Sequence, residues 1–149
     1  MSLQTCLTDH LQTLQSLESL LHEENSLLLR HFEPDELAQI TLRKYQALEK
    51  VEQLDQWRAE ILQGRNLGTQ AQDLRAAVEE DHLQTELDQI FDLTEQLRSL
   101  GENNAILVDA FLAENQHALD ALAAFSGRNN FYDASGKSQA SNSTLSLKA

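Results

Sequence analysis

Two Glu-x-x-His pairs, Glu79 with His82 and Glu114 with His117, carry the spacing in this chain best suited to metal chemistry. On a helix, residues three apart share a face, and di-iron and di-manganese bundles combine two such pairs with two further glutamates. A chain reversal near Gly101 would bring the pairs together. Facing argues against the idea. Neither Glu114 nor His117 lies on the apolar stripe of Val108, Phe111, Ala118 and Leu122, whereas metal ligands point inward. With 24 acidic residues and five histidines in the chain, such pairs also arise by chance. A second constellation, Cys6 with His10 four residues on, has the geometry to activate a thiolate. It lacks an orienting third group and reads as an ordinary pair on a helix surface. No phosphate-cradling glycine loop, zinc-ligand spacing or nucleophile elbow is present. No catalytic residue, metal ligand or cofactor is therefore expected.

The elements that must position these residues are helical. Leucine occurs 28 times and glutamine 15 times, aromatics make up 5%, and there is a single proline in 149 residues. That composition favours helices and offers almost nothing for a strand. Pro34 lies between two leucine-rich stretches of similar length. It suits the first turn of a helix, with Glu33 as N-cap and Asp35 and Glu36 at the positive end of the dipole. The first helix is expected from Leu3 to Phe32, and its wide leucine stripe predicts contact with more than one neighbour. The second is expected from Asp35 to Leu62, along Leu37, Ile40, Ala47, Val51, Leu54 and Ile61. Lys44 and Arg58 interrupt that seam, where a polar residue can fix register or lay its stem along the edge.

Gln63 to Gly68 reads as a loop, and Thr69 with Gln72 as a capping box. Helical character then runs from about Gln70 to Phe125, with Gly101 as the natural break. The spacing leaves open whether this stretch is one helix or two. The fold class expected is all-α: a long antiparallel hairpin plus a C-terminal helix or helices forming an elongated bundle. Residues 1–128 form that helical domain. Residues 129–149, rich in Asn, Ser, Gly and Ala, form a flexible, disordered tail that holds Tyr132.

The net charge is −13; residues 129–149 contribute +1 from Asp133, Lys137 and Lys148, which leaves −14 for residues 1–128. Nucleic acid and anionic membranes are poor partners for such a surface. No apolar run is long enough for membrane insertion, no signal peptide is visible, and one cysteine permits no internal disulfide. A cytoplasmic protein is the simplest reading.

One face stands out. Leu107, Val108, Phe111, Leu112, Leu119, Leu122 and Phe125 make a stripe wider than a hairpin can cover. The remainder is a place for a partner helix laid in a groove.

Four elements in order then resemble the FlgN family of flagellar export chaperones. They are the leucine-rich opening helix; Lys44, Leu48, Leu54 and Arg58 leading to Ile61-Leu62; Asn104 ahead of Ile106-Leu107; and Tyr132-Asp133-Ala134-Ser135-Gly136-Lys137 in the tail. Together they span residues 1–137. The resemblance implies a non-enzymatic, cytoplasmic chaperone of the flagellar type III export system. Its clients would be C-terminal helical segments of the hook–filament junction (hook-associated) proteins, kept from premature assembly. It also implies that Tyr132 docks the loaded chaperone on the flagellar export apparatus. Two other readings of the residues stand beside it: a structural coiled-coil or adaptor subunit, and, less favoured, a carboxylate-bridged di-metal enzyme.

Overall fold

The computed structural model describes residues 1–131, and four helices run through them: α1 (Leu3–Leu28), α2 (Pro34–Gly64), α3 (Ala71–Glu80) and α4 (Gln84–Phe131). The chain divides into two compact units, one of Met1–Ala105 and one beginning at Ile106. The expected all-α class and opening hairpin are present. Of the expected tail, residues 129–131 belong to α4, and 132–149 lie outside the described residues.

Each helix boundary has a local cause. The Ser2 hydroxyl accepts the Thr5 N–H at 3.1 Å and caps α1. Helix α1 ends at Leu28, four residues short of the expected Phe32. The next helix claims the joint: Glu33 precedes a proline and is extended (φ −84°, ψ 145°), as sterics require. Its N–H donates to Glu36 Oε2 at 2.9 Å, and Arg30 Nη2 donates to Glu36 Oε1 at 3.2 Å.

Helix α2 ends through Asn66, whose φ of 59° is left-handed; the Leu67 N–H then reaches back to the Leu62 carbonyl at 2.9 Å. The capping box of α3 falls one residue later than expected, with Gln70 as N-cap and Asp73, not Gln72, reaching back to the Gln70 N–H at 3.0 Å. A carboxylate at the positive end of the dipole outcompetes a neutral amide. Asp73 also folds over Gly68, where an added Cβ would stand 2.7 Å from Asp73 Oδ2.

The break in the third segment lies at His82, not Gly101. His82 has φ 57°, and the Leu83 N–H closes onto the Val78 carbonyl at 2.9 Å. Gly101 stays inside α4. A glycine ends a helix where the chain turns left-handed, and among the described residues the positive-φ positions belong to Asn66 and His82.

Within the first unit, α2 runs antiparallel to α1, and α4 returns alongside α1 in the same direction. Arg65 binds Asp81 through two bonds of 2.9 and 2.6 Å, tying the end of α2 to the end of α3. The core joins Leu3, Leu7, Leu14, Leu17 and Leu21 of α1 to Leu62, Ala77, Val78 and Leu83, and to Leu87, Ile90, Leu93 and Leu97 of α4. Helix α1 is the central member, buried along ten positions, whereas α2 buries three and leaves Leu42, Tyr45 and Leu48 exposed.

Candidate interaction surface

The first unit holds its helices in register with polar groups set among leucines. On α1 the steps of four and three residues run Leu3, Leu7, His10, Leu14, Leu17, Leu21, Glu24. His10 and Glu24 stand where leucine would be expected, and both are buried.

Glu24 is 1% exposed and receives Lys44 Nζ of α2 at 2.8 and 3.1 Å. Asn104 of α4, equally buried, donates to Glu24 Oε1 at 3.0 Å and to the Leu21 carbonyl at 2.7 Å. Its own oxygen accepts from Asn25 Nδ2 at 3.1 Å. Three helices thus meet at one saturated polar centre. Burying such groups costs free energy unless every one is bonded, so the centre admits a single alignment of the three helices. Lys44 interrupts the α2 seam because its partner is Glu24. The leucine stripe read from the sequence passed over Glu24, although its spacing marks it as a seam position.

The second polar cluster corrects the reading of Cys6 and His10 as a surface pair. Cys6 is fully buried, and its thiol donates to the Leu54 carbonyl at 3.4 Å. Burial pushes the thiol's pKa up, which disfavours the thiolate. His10 Nδ1 has no hydrogen-bond partner and lies 3.9 Å from Asp55 Oδ1, which Arg58 Nη2 holds at 2.9 Å. Desolvation holds the imidazole pKa below its ordinary value; Asp55 opposes that effect and Arg58 adds to it.

The second unit presents the stripe. Along 106–125, Leu112, Leu119, Leu122 and Phe125 are exposed, from 48% at Leu119 to 63% at Phe125. Leu107, Val108 and Phe111 are half-buried. Ile106, 66% exposed, was absent from the expected stripe because it falls off the three-and-four-residue spacing. Acidic Asp109, Glu114 and Asp120 are interspersed, and no lysine or arginine lies between Arg98 and Arg128. Tyr132, expected to dock on the export apparatus, lies outside the described residues.

The Glu-x-x-His spacing loses its meaning at the first pair, because left-handed His82 follows the end of α3 and does not share a helix face with Glu79. Glu114 and His117 are both exposed. Among the described residues no group of three or more His, Cys, Asp or Glu side chains could hold a metal ion, and no helix is long and apolar enough to cross a membrane.

No curated protein and no solved structure gives a match to this chain. A family model described as "FlgN protein" matches residues 1–140. That match takes in the whole first unit, the polar centre of Glu24, Lys44 and Asn104, the exposed stripe and the Tyr132 segment, and the chain belongs to the FlgN family, that of the flagellar export chaperones.

Proposed function

We propose that this chaperone acts in the cytoplasm on the hook–filament junction proteins. Their C-terminal helical segments lie against the stripe of Leu107, Val108, Phe111, Leu112, Leu119, Leu122 and Phe125. Covering a segment built for subunit contacts prevents assembly before export. Tyr132 then carries the loaded chaperone to the export apparatus. The reading rests on one observation: four large apolar side chains of the stripe, Leu112, Leu119, Leu122 and Phe125, stand open to solvent. An amphipathic helix laid on them removes that surface from water. Burying about 600 Å² of apolar area is favourable by roughly 15 kcal/mol at 25 cal/mol per Å². Association and helix ordering remove much of this, so micromolar or somewhat tighter affinity is expected.

Titration of the full chain with C-terminal peptides of junction proteins tests the reading. Micromolar binding by a monomer supports it. Absence of binding at tens of micromolar overturns it. A stable self-associated form that binds no peptide would favour the structural coiled-coil or adaptor reading.

A further inference from the structure

The stripe is not uniformly apolar. At 100° per residue, Val108, Leu112, Leu119 and Leu122 fall within an arc of roughly 80°, and Asn115 falls inside that arc. Asn115 is exposed, as are Leu112, Leu119 and Leu122 around it. It stands seven residues after Val108 and seven before Leu122, at a position where the spacing calls for leucine. The acidic residues lie on the flanks outside the arc: Asp109 and Asp120 about 60–80° beyond its Leu112 edge, and Glu114 about 80° beyond its Leu122 edge, beside Leu107 and Phe125 of the wider stripe.

The first unit shows what this chain does with an asparagine in an apolar seam. The Asn104 amide is satisfied by the Leu21 carbonyl, the Glu24 carboxylate and Asn25. A seam asparagine covered by leucine would lose its water and gain no hydrogen bond, and that penalty selects partners and registers. We infer that Asn115 is the specificity residue of the stripe. It selects an amphipathic helix that places a hydrogen-bonding side chain opposite it and carries Lys or Arg along the borders of its apolar face. A second copy of this chain fits poorly, because between Arg98 and Arg128 it has no lysine or arginine to set against the acidic flanks. The inference rests on the proposed binding surface and goes further by stating what the bound helix must contain.

The test is a mutant cycle on the full chain with designed helical peptides of ~20 residues, long enough to hold a helical form on binding. One peptide has an uninterrupted leucine stripe with lysine borders. Its twins carry one glutamine at each successive stripe position, so that every register is sampled. A last peptide exchanges the border lysines for glutamates. The best glutamine peptide is expected to be preferred over the leucine peptide by the wild type, and Asn115→Leu is expected to shift that preference at least tenfold toward leucine. The glutamate-bordered peptide should bind at least tenfold more weakly at low salt, with the gap narrowing in high salt. An unchanged preference in Asn115→Leu, equal binding of both border types, or a doubled mass by light scattering each overturns the inference. If junction-protein peptides fail to bind while the designed cycle behaves as expected, the choice of client falls and the role of Asn115 stands. If junction peptides bind and the preference does not move, the role of Asn115 falls alone.

Discussion

The Lys44 ammonium lies 2.8 and 3.1 Å from the two carboxylate oxygens of Glu24, a side chain almost wholly out of water. The same carboxylate takes the Asn104 amide, so one ion pair between α1 and α2 also fixes α4. Removing one partner is costly because it leaves the other buried and unpaired, whereas replacing both with apolar groups is often neutral or better. Lys44→Ala is expected to lower stability by about 3 kcal/mol in urea unfolding. Glu24→Leu with Lys44→Met is expected to recover most of that loss. A double variant as weak as Lys44→Ala would show that the charges themselves are required.

His10 supplies the pH dependence of the hairpin. Its folded pKa lies below the ordinary 6.5, chiefly through burial. The unfolded chain therefore binds more protons than the folded one as pH falls below about 6.5, and stability drops from there down through the lowered folded value. Above about pH 8 both states are essentially unprotonated, and the residue contributes no slope. His10→Leu should leave a stability difference from wild type that is flat well above neutrality and bends in the variant's favour as pH falls through 6.5 toward the lowered folded value. The low-pH losses from Glu36 and Asp81, whose carboxyls are held down by the Glu33 N–H and by Arg65 respectively, occur in both proteins and cancel in the comparison. A parallel pair of pH profiles would contradict the assignment.

The third segment separates two kinds of helix breaker. Gly101 sits within α4, and a Cβ added there meets nothing within 4 Å. Gly101→Ala is expected to stabilise by about 0.5–1 kcal/mol, since alanine loses less backbone entropy in a helix. His82 holds a left-handed conformation that an L-residue adopts at a cost of roughly 1–2 kcal/mol and that glycine adopts freely. His82→Gly should therefore raise the urea midpoint at unchanged m. Loss of stability in Gly101→Ala would mean that the glycine serves as a working hinge.

Those two residues also mark how far the sequence could be read. Pro34 and its acidic first turn placed the start of α2 because fixed φ and dipole charge act within a few residues. The leucine spacing placed α1, α2 and the N-terminal half of α4 because a helix repeats its face locally. His82 was opaque, since the residue that turns left-handed is set by the closing bonds around it, here Leu83 onto Val78. Glu24 and His10 were opaque for a related reason: a charged residue at a seam position reads as a slip until its partner on another helix is known. The stripe on 107–125 was legible as a width of apolar surface. The polar residue at its centre gained meaning only from the bonds that Asn104 makes elsewhere in the fold.

Exposure makes that stripe separable from the fold by mutation. Leu119 and Leu122 are 48% and 62% exposed, so replacing them with serine removes little buried surface and should change stability by less than about 0.5 kcal/mol each. A bound helix would cover both, and losing two leucines from an apolar contact costs roughly 2–4 kcal/mol of binding. Leu119→Ser with Leu122→Ser is thus expected to weaken a junction-protein peptide by tenfold or more in calorimetric titration, with the unfolding midpoint held. Leu42→Ser supplies the control, because Leu42 is 59% exposed and belongs to α2, in the first unit. If Leu42→Ser weakens the peptide as much as the double variant does, binding follows general greasiness and not this face of α4. If the double variant unfolds more easily than the control, Leu119 and Leu122 support the fold, and their exposure is no sign of a partner.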